Sequence, residues 1–240
     1  MSPSMNAPLS FQSHRFTLTQ QDAAYPVRLR EMKRPPALLF GQGELRPEDG
    51  EAVAIVGTRK PAAAAAKLTL ALSYELAERG FTIVSGLALG IDTEAHRGAL
   101  QTRFGRTVAV LGSGLDTIHP KSNLALARQI CQRGALLSEH PADTPLSPQY
   151  LVARDRLISG LSRALMVMET GLDGGAMYAA AFAQQQNRLV FALPGSPGCD
   201  ALINQGALPL DPSNLDLDYL SLQIRTYTPP EQPKQLTFGL

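Results

Sequence analysis

Two apolar runs that break into glycine just ahead of a helix constrain this chain most. They are Ala54-Ile55-Val56-Gly57-Thr58-Arg59-Lys60 and Val84-Ser85-Gly86-Leu87-Ala88-Leu89-Gly90-Ile91-Asp92. Each reads as a buried strand whose turn aims backbone N–H groups and a helix N-terminus at one point, a geometry that suits a phosphate. Similar apolar runs cover Val53–Val56, Phe81–Val84, Thr107–Leu111, Ala135–Leu137, Ala164–Met168 and Leu189–Leu193. Strands that are apolar at successive positions are covered on both faces. Helical patterns alternate with them over Ala62–Arg79, Thr93–Leu100, Asn123–Arg133, Arg154–Leu161 and Ala176–Gln186. Leu68, Leu72 and Leu76 supply i, i+4 spacing, Asp92 and Ser122 are caps, and Gly80 and Gly134 are stops. Strand–helix alternation predicts an α/β fold with a doubly wound parallel sheet. Ligands of such sheets sit beyond the carboxyl ends of the strands, where every glycine turn here falls.

The 240 residues suffice for one large domain with tails. We expect a mobile segment over 1–20 and a lead-in over 21–50 packed on the main domain. The Rossmann-like domain should cover 51–210. A short helix within Asp211–Ile224 and the Pro-rich tail Thr228–Leu240 should follow. A net charge of +1 confines any nucleic-acid site to a local patch. Cys131 and Cys199 are far apart, which fits a reducing cytoplasm and gives no disulfide framework or zinc spacing. The first 20 residues hold no signal-peptide h-region, and no apolar stretch is long enough to span a bilayer. No cofactor, metal or membrane partner is expected.

Five glycine turns carry the candidate site. Gly57-Thr58-Arg59-Lys60 is either a phosphate clamp, with Thr58 donating and Arg59 gripping bidentately, or an ordinary turn with solvated cations. In the second turn, Gly86 and Gly90 precede Asp92 and His96 at i, i+4. A cap plus a partly buried histidine outweighs a metal or acid–base pair there. Gly112-Ser113-Gly114 follows the third strand, and Lys121 stands at a helix N-terminus, where a cation opposes the dipole. Arg154 and Arg156 cannot share a helix face; one faces the site while the other pairs with Asp155 or Glu139. Gly174 and Gly175 would bare N–H groups after the fifth strand, and Gly195-Ser196 ends the sixth.

At these residues the chain resembles the DprA/Smf family, the DNA-processing proteins of bacterial natural transformation. The matching stretches run in order over about residues 21–207. They include Tyr25-Pro26, Ala54–Arg59, Val84–Asp92 with Ala95-His96, and Gly105-Arg106-Thr107. Val110-Leu111-Gly112 with Gly114-Leu115-Asp116, Pro120–Asn123 and Arg156 with Ile158–Ser162 follow. Pro194-Gly195-Ser196, Leu202-Ile203 and Gly206-Ala207 complete the series.

The resemblance implies an extended Rossmann domain that binds single-stranded DNA, homodimerises and loads the recombinase RecA, with no catalysis. It implies phosphate contacts by Arg59 and Lys121, helped by Arg156, Gly174 and Gly175. It also implies a dimer contact after the last strand, around Leu202, Ile203, Leu208 and Leu210. Three residues depart from the family pattern and lower the expected DNA affinity. Asp155 stands for a usual Asn, Gly174-Gly175-Ala176 for Ser-Gly-Ser/Thr, and Asp200 for Asn. Neither the N-terminal helical domain nor the C-terminal winged helix of many members is read here, so a minimal, Rossmann-only member is expected. Two other functions compete: a nucleotide sensor, and a LOG-like nucleotide phosphoribohydrolase. The hydrolase motif Pro-Gly-Gly-x-Gly-Thr-x-x-Glu has no match, since Glu169 precedes its glycines.

Overall fold

The computed structural model describes residues 14–229. Its elements are β1 (Arg15–Thr19), α1 (Val27–Arg30), β2 (Leu38–Gly43), β3 (Ala52–Val56), α2 (Ala63–Glu78), β4 (Thr82–Ser85), α3 (Ile91–Gln101), β5 (Thr107–Leu111), α4 (Leu124–Arg133), β6 (Gly134–Ser138), α5 (Pro148–Leu161), β7 (Ala164–Val167), α6 (Ala176–Gln185), β8 (Leu189–Ala192), α7 (Pro197–Asn204), β9 (Leu208–Pro209) and α8 (Leu217–Thr226). The nine strands form one sheet in the order β1-β2-β6-β5-β4-β3-β7-β8-β9. From β6 to β9 every pairing is parallel. β1 and β2 add an antiparallel edge. From β3 the chain builds outward to β6, then returns to place β7 on the other side of β3. That reversal is the switch point beside which ligands of open α/β sheets bind.

Period-2 geometry explains why the parallel strands are apolar throughout. Along β3, Ala52, Ala54 and Val56 pack with α5 and α6 on one face, while Val53 and Ile55 pack with α2, α3 and α8 on the other. All five are at most 4% exposed. The expected leucine stripe of α2 holds: Leu72 and Leu76 are buried and Leu68 packs at the margin. Burying each such leucine contributes roughly 1.5–3 kcal/mol.

Several elements differ from expectation. Residues 15–19 are not a mobile lead but strand β1, because Phe16 and Leu18 alternate with polar residues and pack on the sheet core. The lead-in supplies a strand as well, β2, which pairs with β1 and β6. Residues 1–13 of the expected mobile segment, and the Pro-rich tail from residue 230, lie outside the described residues. Helix α5 begins six residues early, at Pro148, since Ser147 caps it by accepting from the Tyr150 N–H. Asp92 is not the cap of α3 but lies inside it, after Gly90. Ser122 likewise caps nothing and sits within a 3-10 turn, Lys121–Asn123. The last helix starts at Leu217, where the Asp216 carboxylate accepts from Asp218 and Tyr219 N–H.

Candidate nucleic-acid interface

The carboxyl ends of β3, β4 and β5 surround a cleft of about 100 Å3. Its wall includes Arg59, Gly86, Leu89, Gly112, His119 and Arg154. Arg59 and Lys60 leave β3 exposed, and Lys121 is exposed beside the cleft-lining His119 and Pro120. None of these three cations is ion-paired among the described residues.

The turns that hold these cations are tied together. The Thr58 N–H donates to Glu169 O at 2.7 Å, and the Ile91 N–H donates to Thr58 O at 3.2 Å. The Thr58 hydroxyl accepts from Lys60 N–H at 3.2 Å and so braces its own turn. Gly90 lies at φ +75°, and a Cβ there would run into the backbone of Thr58 and Arg59; only glycine lets α3 start against the β3 turn. Buried Asn123 donates through Nδ2 to Leu87 O and to Thr93 Oγ1, both at 2.9 Å. It thereby fixes the Lys121 turn against the second glycine turn. Asn123 was legible only as part of a motif.

The glycine turns do not present bare N–H groups as the sequence suggested. Asp92 folds back from α3 and accepts from the N–H groups of Gly86 and Ala88, at 3.2 and 3.3 Å. Glu169, at the end of β7, accepts from the Ala62 N–H at the start of α2, at 2.9 Å. Asp200 accepts from the Gly195 N–H at 2.9 Å. A carboxylate therefore already serves each of these turns, and an anion is left chiefly with the side-chain cations. Gly114 donates to Thr144 O, and a Cβ there would strike Pro141 and Ala142, so this glycine packs a loop. Gly112 lines the cleft against Leu151 of α5.

Gly57 packs against Ile91. Gly174, Gly175, Gly195 and Ser196 follow β7 and β8, on the far side of β3, and do not line the cleft. The Gly174 N–H donates to Gly171 O, Gly175 faces open space, and Ser196 Oγ accepts from Thr170 N–H at 3.2 Å.

The two arginines of α5 divide as the helical period requires, but in the reverse sense. Arg154 lines the cleft, whereas Arg156 pairs with Glu139 and donates to Arg34 O. Two residues apart on a helix are about 200° apart, so only one can face the cleft. Arg154 is 7% exposed, and a Cβ on Gly86 would fall inside its guanidinium.

Asp92 and His96 are not a pair. The Thr107 hydroxyl gives its proton to Ile83 O at 2.7 Å, so His96 must donate from Nδ1 to Thr107 Oγ1 at 2.6 Å. Burial, with the Arg154 charge nearby, pushes His96 down to about 3 and keeps it neutral. Among the described residues, no group of three or more His, Cys, Asp or Glu could hold a metal ion, and no helix is long and apolar enough to cross a membrane. Of the residues expected at a dimer contact, Leu202 and Leu210 are 2% and 3% exposed and belong to the core; Ile203 and Leu208 are partly exposed.

A larger cavity, about 530 Å3, opens at the amino ends of the strands. Its charged rim is largely spent on ion pairs: Asp49 with Arg106, Glu51 with Arg163 and Arg46 with Glu44. We place the functional site at the carboxyl end, where the cations are free.

This arrangement defines a class: doubly wound α/β proteins whose switch-point cleft suits an anionic ligand. Within it, the chain belongs to the DNA recombination-mediator protein A family, whose model matches residues 16–216. It is 45% identical to protein Smf of Synechocystis over 79% of this chain and 50% of that protein. It is 37% identical to DNA processing protein DprA of Bacillus subtilis over 80% of this chain and 66% of that one. The chain thus spans about half the length of the Smf proteins it matches in Synechocystis and Escherichia coli. The structure of DprA from Streptococcus pneumoniae superposes with a TM-score of 0.77 at 37% identity, covering 83% of this chain and 72% of that one. DprA from Helicobacter pylori, a structure describing a single-stranded DNA binding mode, superposes with a TM-score of 0.77 at 30% identity, covering 91% and 98%.

Proposed function

We propose that this protein binds single-stranded DNA without sequence preference and acts as a recombination mediator, loading RecA on strands that enter the cell during natural transformation. The observation that carries the reading is the unpaired Arg59 and Lys121 beside a cleft at the sheet's switch point. Likeness to the Helicobacter pylori protein supports a single strand as the ligand. Exposed cations grip backbone phosphates, which positions a strand without reading its bases. Leu89, 46% exposed at the cleft, offers an apolar surface to a base. The cleft's size favours a strand over a free nucleotide, because about 100 Å3 admits one phosphate group whereas small-molecule sites run to roughly 300–1,000 Å3. We read the protein as a non-enzyme, since Glu169, the carboxylate nearest a hydrolase motif, is spent on the start of α2. Work in the cytoplasm suits its two buried free thiols, Cys131 and Cys199. The homodimer in this reading rests on Ile203 and Leu208.

Fluorescence anisotropy with labelled oligo(dT), a mixed-sequence single strand, the matching duplex and AMP tests the reading. Both single strands should bind alike and well above the duplex and AMP. Equal duplex affinity, or AMP binding alone, would overturn it. Stimulation of RecA assembly on strands coated with single-strand-binding protein tests the mediator step. Sedimentation at micromolar concentration tests the dimer.

A further inference from the structure

A charge cluster lies behind the cleft wall. Arg154 and Asp155 on α5 and Asp92 on α3 are each at most 9% exposed. Arg154 lies flat on Gly86, with Nη1 donating to Val110 O at 2.9 Å. Its Nε stands 3.0 Å from Asp155 Oδ1. Nε has no aligned hydrogen bond, so this contact is charge against charge.

Asp92 acts on Asp155 from α3, and Arg59 acts on it from the cleft mouth. His96, facing Arg154 from α3, is neutral and adds no charge. Two carboxylates thus share one buried guanidinium. With both ionised, the cluster carries one net negative charge beneath a site meant for an anion; with one protonated it carries none.

Which carboxylate takes the proton follows from their partners. Asp92 accepts from two backbone N–H groups, and these hold its charge in place. Asp155 has only the Arg154 and Arg59 charges in its favour, and burial pushes it up to about 7.

We infer that strand binding in this cleft is coupled to proton uptake by Asp155, and that Arg154, freed from its neutralised neighbour, is the buried anchor for a phosphate. The inference rests on the single-strand reading above. One proton is taken from solvent onto the Asp155 carboxylate for each strand bound, and no covalent bond changes. The phosphate, by raising the Asp155 pKa, would draw the proton in; each unit of that rise is a tenfold change in affinity across the titration.

The test is oligo(dT) affinity at constant ionic strength from about pH 6 to about pH 8, for the wild type and for Asp155→Asn, which keeps shape and removes charge. Wild-type affinity should fall roughly tenfold over that range, for a pKa rise of about one unit. The variant should bind as tightly at the upper pH as at the lower. His119, which also lines the cleft, affects both proteins alike, so the difference between profiles isolates Asp155. Parallel profiles would overturn the inference. If neither protein binds a strand at any pH, the single-strand reading fails, and NMR of the free protein judges the cluster alone. There the Asp155 13Cγ signal should titrate near neutrality and shift upward on adding inorganic pyrophosphate. A midpoint in the ordinary carboxylate range, or one that pyrophosphate does not move, would overturn the proton coupling.

Discussion

The two ends of the parallel sheet spend their charge differently. At the amino end, Glu51, Arg106 and Arg163 each stand one residue before a parallel strand, and all are paired. Asp49 accepts from Arg106 Nε and Nη2 at 2.7 and 2.8 Å and from the Thr82 hydroxyl at 2.8 Å. At the carboxyl end, Arg59, Lys60 and Lys121 are exposed and unpaired, while the acids beside them are committed to backbone N–H groups. One end contributes stability; the other withholds its cations for a ligand. Substitutions should therefore separate the two properties.

The largest expected effect on stability lies at the amino end. Asp49→Ala strands the Arg106 guanidinium, whose side chain is 13% exposed, and should cost about 3 kcal/mol. Urea unfolding measures the loss, and the folded variant should bind oligo(dT) as the wild type does. A weakened DNA affinity at full folding would break the division between the ends.

Next comes Gly86→Ala, which drives a methyl into the Arg154 guanidinium. It should cost about 1–3 kcal/mol as overpacking and should also weaken strand binding, because the cleft wall moves. Unchanged stability would mean that Arg154 has room to leave.

The pH dependence of stability sharpens the comparison further. Asp155 is raised in the folded protein, to about 7. Its contribution is therefore full below the unfolded carboxylate pKa and is lost as pH rises toward 7. His96 is depressed to about 3. Its contribution is present above the unfolded histidine pKa and is lost as pH falls toward 3. Either group alone can change stability by up to about 1.4 kcal/mol per pH unit. Asp155→Asn should accordingly gain on the wild type between about pH 4 and pH 8, measured by urea unfolding at several pH values. A gain that shrinks with rising pH would show that Asp155 is ionised when buried at low pH.

The smallest effect belongs to Lys60→Ala. Its stability change should stay within about 1 kcal/mol, with a modest loss of strand affinity in the anisotropy titration.

The parallel sheet was legible because its strands are covered on both faces and its helices end in glycine. The edge was harder. Arg15–Thr19 shows only two apolar residues, and Pro197-Gly198 reads as a turn although Ser196 and Pro197 open α7. The cations of the site were legible from their glycine turns. The occupancy of those turns was not, because Glu169 reaches Ala62 across more than a hundred residues of chain. Nor could spacing alone choose between Arg154 and Arg156; the packing of α5 against the sheet decides it.

The central claim is that unpaired cations at the carboxyl edge hold the strand. The direct test is the salt dependence of oligo(dT) binding by Arg59→Ala, Lys121→Ala and the double variant. Each single substitution should flatten the slope of log affinity against log salt by about 0.7 and weaken any single strand alike. The double variant should nearly lose binding while its urea midpoint stays in place. Wild-type affinity and unchanged slopes in both single variants would contradict the account.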